Sequence, residues 1–527
     1  MLSTSETLLA LTFFAAQQIE ALATVTSTLK IALPTARPQD AYEVPANFPS
    51  VGFEHAFLPG FNDDFSSNLI EDLAGRMDDK PIIRVGGTSG DIIKYNPDQT
   101  EPHVCLQDGH SITGPDIFNN CSHQSTFILG PHFFDAFTQR YKSARISIQA
   151  PLDPIHSDNL PNKTNVVSFI KQAYKSVGAD RIDAIAIGNE VNFYEKDGLS
   201  YVKDGLEAAK YIKQEVQEVS NSSAATPIWE LLNTAWEVSH GSFPWAYSLP
   251  NILTAWRKQD SRVKYVAEHY YQFDGKTPGI TAHLLNHTDL VAAFKHYQDK
   301  INWTRNVAKA SYILSEAGGP LGPRDEATGH FAIALWGANF MMYAMSHGVD
   351  RISLVQRPGV IRALWTPFAT AKRPGPMVQA QYYSYPFIAD FLGRNVAGKR
   401  GVVEIPLNNS VFSAYGMFEG GTLTRVAVVN LREYSGEGDR KAVKASLEGL
   451  GDGVRKVVVG RLHADEGTAA GGFDVNEKNI TWSGEQWSVA VNNGRAHGKI
   501  VQTEVNITNG VVDVVVPDSE AVIVYLK

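Results

Sequence analysis

Cysteine is scarce in this chain of 527 residues, which contains only Cys105 and Cys121. Two thiolates cannot form the four-ligand cage of a structural zinc site. In an oxidising compartment they can instead close one disulfide-bonded loop, whereas in a reducing one they would remain two unrelated buried thiols. We expect the Cys105–Cys121 disulfide, on the condition that the protein is secreted.

Long apolar runs and an excess of positive charge are also missing. No segment has the length and apolarity of a transmembrane helix, and the formal net charge is −9 at pH 7. A chain without a basic face is not built to bind nucleic acid. We therefore expect neither a membrane nor a nucleic acid as partner, and the sequence leaves the oligomeric state open.

The N-terminus indicates export. Residues 8–16 form an apolar run too short to span a bilayer, and residues 21–23 (ALA) follow as a small-x-small cleavage pattern. This predicts a signal peptide over residues 1–23, although no Lys or Arg precedes the run; a disordered leader is the alternative. Asn-x-Ser/Thr sequons support a secreted, extracellular glycoprotein independently. We expect glycosylation at Asn120, Asn162, Asn221, Asn286, Asn302, Asn408, Asn479 and Asn506.

Between residues 48 and 393, apolar runs alternate with helical stretches such as residues 199–218 and 328–346. Most runs are near-continuously hydrophobic, as parallel strands covered on both faces should be. Eight such units predict a closed (β/α)8 TIM barrel of the α/β class, with an open doubly wound sheet as the alternative. The predicted strands are 51–54, 82–88, 145–150, 182–190, 228–235, 265–271, 312–318 and 351–357.

The composition changes in residues 394–527, where short Val/Ile/Thr-rich runs are punctuated by Gly, Asn and Asp turns. This pattern is typical of an antiparallel β-sandwich. The segment 24–47 begins with a run in which Leu29, Ile31 and Leu33 alternate on one face, and prolines follow it. Because such an isolated strand needs a sheet to join, we expect it to complete the C-terminal β-sandwich domain.

Two glutamates lie at the ends of predicted barrel strands. The fourth strand ends in Asn189-Glu190 and the seventh in Ser315-Glu316. Polar residues at the carboxyl ends of barrel strands point into the active site, so both glutamates are expected at one rim. Cleavage of a glycosidic bond with retention needs a carboxyl that protonates the leaving oxygen and a carboxylate about 5–5.5 Å away that attacks the sugar. We expect these two residues to do so, with Asn189 bonding the sugar 2-hydroxyl; the alternative is that one glutamate only caps a helix.

A set of short motifs shared with a known family extends this interpretation. The motifs are residues 83–88 (IRVGGT), 188–192 (GNEVN), 269–271 (HYY) and 315–319 (SEAGG). In order and spacing they resemble glycoside hydrolase family 79, in its fungal secreted branch, a family that contains β-glucuronidases and heparanase. The resemblance implies Glu190 as acid/base, Glu316 as nucleophile and a β-D-glucuronide as substrate, with no metal and no organic cofactor.

The resemblance implies roles for other residues too. Tyr270 matches a tyrosine that hydrogen-bonds the nucleophile, but strand alternation allows Tyr271 instead. Glu54 and Gln149 end strands one and three, where they either bind sugar hydroxyls or serve the structure alone. Arg84 either pairs with a catalytic carboxylate or forms a structural bridge to Glu54.

One departure concerns the sugar carboxylate. Members that cleave glucuronides hold this group with a tyrosine and glycine amides shortly after the nucleophile, where this chain has Leu321-Gly322-Pro323. Leu321 lacks a hydroxyl and Pro323 lacks an N–H, whereas Gly322 still has its amide. Further candidates for the subsite wall, after strand eight, are Arg357, Arg362 and Trp365.

Three other functions remain as alternatives. A β-glycosidase of the same clan would act on a neutral sugar, and a non-catalytic carbohydrate-binding protein would have lost turnover although both glutamates are retained. A metal-dependent barrel enzyme would need a set of strand-end ligands, whereas His269 stands alone and is expected to be a wall residue.

Overall fold

The structure, a computed structural model, describes residues 23–152, 163–195, 197–220, 226–235, 249–322, 326–371, 374–451, 453–471 and 480–526. Nearly all of the predicted signal peptide, and the sequons at Asn162, Asn221 and Asn479, lie outside these ranges. Within them, every helix is too short or too polar to cross a membrane.

Eight parallel strands close into a barrel in which each strand pairs with its neighbours in the chain and the last pairs with the first. This confirms the predicted barrel and excludes the open doubly wound sheet. All eight predicted strands are present, with ends that differ by a few residues. They are β1 (Pro49–Glu54), β2 (Ile82–Gly86), β3 (Arg145–Ala150), β4 (Ile182–Ile187), β5 (Trp229–Thr234), β6 (Val263–Asp274), β7 (Ser311–Leu321) and β8 (Arg351–Gln356).

Buried charges fill the end of the barrel where the strands begin. Arg351 donates to Asp183 at 3.2 Å and to Glu230 at 3.0 Å. Ser147 donates to the same Glu230 oxygen at 2.6 Å. Because these opposite charges pair with one another, this end of the barrel is structural, and the carboxyl ends of the strands are left for chemistry.

The helices cover the outside of the barrel. Asp63 caps the first one by accepting a hydrogen bond from the Ser66 amide at 2.9 Å. The predicted helices 199–218 and 328–346 correspond to Gly198–Ser220 and Ala332–Ser346. The other helices are Asp64–Gly75, Thr88–Ile92, Asp116–Asn120, Lys163–Val177, Leu249–Arg257, Ile280–Leu284, His287–Phe294, Gln298–Asn306, Ser384–Leu392 and Val489–Asn492.

Helix Ala332–Ser346 is apolar on every side, and residues 332–345 are all buried. One side packs on the barrel and the other meets the C-terminal domain, where Ser413 and Tyr415 donate to Asn339 Oδ1 at 2.8 and 2.7 Å. A helix without a solvated face needs neighbours all round, so the second domain completes the surroundings of this helix.

The C-terminal domain is a sandwich of two sheets, as predicted. The larger sheet contains Arg400–Glu404, Phe412–Glu419, Thr422–Asn430, Lys456–Ala464, Ile480–Trp482, Thr503–Asn506 and Glu520–Tyr525. The smaller contains Thr24–Ala32, Lys441–Glu448 and Val511–Pro517. Ile31, Val443 and Val514 of the smaller sheet pack against Val428 and Val524 of the larger one.

The N-terminal strand joins this sandwich as expected, by pairing in parallel with Lys441–Glu448. Neither that partner strand nor Thr503–Asn506 was predicted, because the Val/Ile/Thr-rich runs that favour strands in this domain are 401–405, 411–414, 423–430, 454–459, 479–482, 511–516 and 521–526. Both unpredicted strands have charged or polar residues among their apolar ones, so their sequences lack the uninterrupted hydrophobic signal of the other strands.

A small sheet is inserted between β2 and β3. It consists of Lys94–Tyr95, His103–Gln107, His110–Ile112 and Thr126–Leu129. The predicted Cys105–Cys121 disulfide is present here and links the second of these strands to the end of helix Asp116–Asn120. Two further strand pairs are Trp365–Thr366 with Met377–Val378, and Gln486–Trp487 with Ala496–His497.

The described sequons differ in accessibility. Asn120, Asn408 and Asn506 are exposed. Asn286 and Asn302 are half-buried, and both side chains accept hydrogen bonds, from the first turn of a helix and from Tyr42. Glycosylation at all of these positions stays a prediction, and the first three offer the more open acceptors.

Candidate active site

The chain turns sharply after β4, and this turn sets the position of Glu190. Gly188 and Glu190 both have left-handed backbones, with φ of 75° and 49°. Such a conformation is strained for a residue with a side chain. It is held by a hydrogen bond from the Glu190 amide to the Asn233 carbonyl at 2.6 Å. The carboxylate then reaches His269 Nδ1 at 3.2 Å.

Glu316 lies on β7 and is held on both of its oxygens. Arg84 Nη1 donates to Oε2 at 3.0 Å, and the Tyr271 hydroxyl donates to Oε1 at 2.6 Å. Burial acts to raise the pKa of Glu316, but the neighbouring His269 and Arg84 and these hydrogen bonds outweigh it and lower the pKa to about 2. The group is therefore an anion over the working pH range of most enzymes.

The two glutamates meet across the mouth of the barrel. One carboxylate oxygen of Glu190, one of Glu316 and one ring nitrogen of His269 all lie within 4.8 Å of one another. Carboxyl groups about 5–5.5 Å apart are typical of retaining glycosidases, while inverting enzymes keep them about 6.5–9.5 Å apart to admit a water molecule. The distance fits direct attack on a sugar.

The same three side chains are the group of described residues whose spacing would admit a metal ion. Both oxygens of Glu316 are, however, already engaged, one by the Arg84 guanidinium and one by the Tyr271 hydroxyl. A divalent cation there would have to approach a fixed positive charge. The donor set therefore fits a proton-transfer pair better than a metal centre.

A cleft of about 610 Å³ opens above the two glutamates. It is lined by both polar and apolar residues, as are sites that orient a ligand with a few polar groups. The lining residues are Glu54, Thr88, His123, Glu190, Phe193, Ala235, Tyr271, Glu316, Leu321, Gly322, Val355, Arg357, Gly359, Val360, Ile361 and Arg362.

Arg84 links the nucleophile candidate to Asn189. Its second terminal nitrogen donates to Asn189 Oδ1, while the first donates to Glu316. The guanidinium thus pairs with a candidate catalytic carboxylate, one of the two arrangements expected for it. Glu54 instead accepts from the Ser89 amide at 3.0 Å and from its hydroxyl. Burial and the charge of Glu316 raise the pKa of Glu54.

Strand alternation decides between the two tyrosines. Tyr271 faces the cleft and bonds Glu316, whereas Tyr270 points away from it. The Tyr270 ring is fully buried and stacks on Phe340 at 4.6 Å between centroids. Its assignment to the nucleophile is therefore corrected in favour of Tyr271.

Three other expected sugar contacts are buried and lie outside the cleft lining, namely Asn189, Gln149 and Trp365. Trp365 is fully buried, its indole N–H donates to Ser66 Oγ at 2.8 Å, and it packs against Phe53. The Gln149 amide is also buried and donates to Asp91 at 2.8 Å. Trp365 belongs to the core, and Gln149 acts beneath the site rather than in it.

Three residues near the site were missed by sequence reasoning. Asp91 is fully buried, and its carboxyl accepts from the Asn189 amide at 3.2 Å. Burial outweighs its hydrogen bonds and raises the pKa of Asp91 to about 8. An acidic residue directly before two isoleucines, shortly after a buried strand, is a signal that could have found it. His123 and Phe193 reach the cleft from an insertion and from a loop, which only the tertiary structure brings together.

Comparison with known proteins bears on the C-terminal domain first. The family model described as "Glycosyl hydrolase family 79 C-terminal beta domain" matches residues 414–523. A β-glucuronidase of Aspergillus niger is 26% identical to this chain, and the alignment covers 99% of each of the two chains. A β-glucuronidase of Neurospora crassa is also 26% identical, over 82% of this chain and 81% of the relative.

The C-terminal domain thus matches the family 79 model, and the chain as a whole is similar to two β-glucuronidases. The resemblance inferred from the motifs is thereby confirmed, and with it the expectation of a glycosidase acting on carbohydrate. Among solved structures, a 4-O-α-L-rhamnosyl-β-D-glucuronidase from Fusarium oxysporum matches this chain with a TM-score of 0.73 and 17% identity, over 94% of this chain and 100% of that one. At that identity the match supports the fold.

Proposed function

We propose that this chain is a retaining β-glycosidase that removes terminal β-D-glucuronosyl groups by double displacement. The observation that carries the proposal is the carboxylate pair Glu190 and Glu316, with oxygens within 4.8 Å at one rim of the barrel. Glu316 is the nucleophile and Glu190 the acid/base.

In the first step, the Glu316 carboxylate attacks the anomeric carbon while Glu190 gives its proton to the glycosidic oxygen. The bond to the aglycone breaks, the aglycone leaves as an alcohol, and the sugar stays on Glu316 as an ester. The low pKa of Glu316 suits this role, because the nucleophile must be ionised while its partner still holds a proton.

In the second step, Glu190 accepts a proton from water, whose oxygen attacks the same carbon and releases Glu316. Glu190, which gave up its proton in the first step, is the general base in this one. Two inversions at one carbon return the β-configuration.

The surrounding side chains prepare both steps. Arg84 and Tyr271 orient the nucleophile through its two oxygens, and His269 contacts Glu190 from a fully buried position. Asn189 accepts from Arg84, and its backbone amide donates to Asp91; the role proposed for it is to bond the sugar 2-hydroxyl.

A glucuronide as substrate is supported by the names of both curated relatives. The stretch after the nucleophile departs from the pattern of glucuronide-cleaving members, although Leu321 and Gly322 do line the cleft. That departure favours a neutral sugar as the competing substrate.

Secretion belongs to the same proposal. It is supported by the leader pattern of residues 1–23, by the exposed sequons and by the disulfide. Recovery of a glycosylated protein, cleaved near residue 23, from the medium of an expressing fungal culture would test it.

The deciding experiment for the substrate is a panel of 4-nitrophenyl β-D-glycosides: glucuronide, glucoside, galactoside and xyloside. We expect the glucuronide to be hydrolysed with the highest kcat/KM, and the Glu316→Gln variant to be inactive on all four. Wild-type preference for a neutral glycoside would assign the chain to the competing activity, and no wild-type turnover combined with sugar binding would indicate a non-catalytic protein.

A further inference from the structure

Two arginines follow β8 and line the cleft, and one of them forms no ion pair with a carboxylate in the part of the chain that the structure describes. Arg362 is only 7% exposed, and its guanidinium lies 4.9 Å from the centre of the Tyr271 ring. Its Nε is buried without a hydrogen-bond partner, and within the described residues no carboxylate forms an ion pair with it. A buried charge that is not neutralised is costly unless something else, such as a ligand, neutralises it.

Arg357 differs from Arg362 in its surroundings. Its guanidinium contacts His123 Nδ1 at 3.1 Å, lies over the Phe57 ring at 4.5 Å, and has Glu54 as a nearby negative group. Arg357 is thus partly compensated inside the protein, so Arg362 is the cation that is free to meet an anionic group in the cleft.

The position of Arg362 relative to Glu316 identifies the part of the sugar it would meet. On the Oε2 side of Glu316 lie Arg84 and Asn189, and on the Oε1 side lie Tyr271 and, stacked on it, Arg362. In a pyranose the anomeric carbon is flanked by C2 on one side and by the ring oxygen and C5 on the other. If the 2-hydroxyl is on the Asn189 side, the C5 substituent points to the Arg362 side.

We infer that Arg362, with Arg357 as a second cation beside it, recognises the C5 carboxylate of a hexuronic acid and so sets the preference of the cleft for uronides over neutral sugars. This inference rests on the proposed function and deepens it. Residues 321–323 have no side-chain donor that could hold the sugar carboxylate. The inference assigns this contact to the two guanidinium groups instead.

The kinetic test compares two substrates that differ only at C6, 4-nitrophenyl β-D-glucuronide and 4-nitrophenyl β-D-glucoside. Replacing Arg362→Met should lower kcat/KM for the glucuronide about 10- to 100-fold, the usual effect of losing a hydrogen bond to a charged group. The glucoside rate should stay within about 3-fold, since its hydroxymethyl group needs no cation. Arg362→Lys should restore part of the preference.

Controls separate recognition from structural damage. Arg495→Met removes one exposed positive charge from the C-terminal region and should change neither rate, which accounts for the overall charge. Equal losses on both substrates in Arg362→Met would overturn the inference, because the arginine would then act only through Tyr271 and Glu316. An unchanged ratio of the two rates would overturn it as well.

A binding measurement separates this inference from the catalytic proposal. The probes are two gluco-configured iminosugars, one with a carboxylate and one with a hydroxymethyl group at the position equivalent to C5, titrated calorimetrically. The wild type should bind the carboxylated probe more tightly and Arg362→Met should lose that preference, whether or not aryl glucuronides are turned over. If the wild type binds both probes equally, the inference fails even where glucuronide hydrolysis is found.

Discussion

The hydroxyl of Tyr271 donates a 2.6 Å hydrogen bond to Glu316, and its ring supports the guanidinium of Arg362. One side chain therefore connects the nucleophile of the proposed reaction to the group proposed to select the sugar. The backbone alternation that turns Tyr270 into the core turns Tyr271 towards the cleft.

Replacing Tyr271→Phe removes the hydrogen bond but keeps the ring. The pKa of Glu316, now lowered to about 2, should rise. Because Glu316 acts as an anion, the acid limb of the kcat/KM profile should move to higher pH. We also expect kcat/KM at the optimum to fall about 10-fold, the worth of one hydrogen bond to a charged group. A pH profile of both proteins on an aryl glucuronide measures this, and an unmoved acid limb would contradict the pKa assignment.

Replacing Glu316→Gln keeps the shape of the side chain but removes the nucleophile. Activity should fall at least about 10³-fold, while the protein stays folded. Far-ultraviolet circular dichroism and thermal unfolding check the fold. Activity equal to that of the wild type would remove Glu316 from the reaction.

Replacing Glu190→Gln should affect the two steps unequally. An activated leaving group such as 4-nitrophenolate needs little protonation, but water still needs a base, so the ester intermediate should accumulate and turnover should fall about 10²- to 10⁴-fold. Added azide needs no base and should restore turnover, giving the β-glucuronosyl azide. An α-azide product, or no rescue at all, would argue against Glu190 as the acid/base.

The stereochemical outcome follows from the distance between the two carboxylates. Oxygens within 4.8 Å leave no room for a water molecule between nucleophile and sugar. Proton NMR of the first-formed product should show the β-anomer before it equilibrates. An α-anomer as first product would mean inversion and would refute double displacement.

The buried carboxyl of Asp91 should make the stability of the folded protein depend on pH. Its folded pKa of about 8 lies above the unfolded value of about 4, so between these values the folded state binds more protons than the unfolded state. Stability from this group is present at acidic pH and is lost as pH rises towards 8. Asp91→Asn cannot ionise, so its melting temperature should fall less between pH 5 and 8 than that of the wild type, by on the order of a few °C. If the melting temperatures of the two proteins fall equally between pH 5 and 8, Asp91 is already ionised in the folded protein.

Long hydrophobic runs made the barrel predictable from the sequence, because parallel strands are buried on both faces and need no context to be recognised. The same holds for Glu190 and Glu316, since strand ends in a barrel share one rim. Strand Lys441–Glu448 was not predicted because its polar residues interrupt the hydrophobic pattern by which a strand is recognised. The choice between Tyr270 and Tyr271 depended on which residues of β6 face inward, and the core position of Trp365 depended on the path of a loop, neither of which local sequence specifies.

Helix Ala332–Ser346 has a consequence for how such an enzyme can be built. Its residues share one continuous apolar core with both the barrel and sandwich residues such as Tyr415 and Met417. The two domains therefore do not behave as a catalytic module with a detachable accessory. A barrel expressed without residues 394–527 would expose this helix to solvent and would be prone to aggregate, so gene shortening or domain exchange at that junction is not an available route to a smaller enzyme.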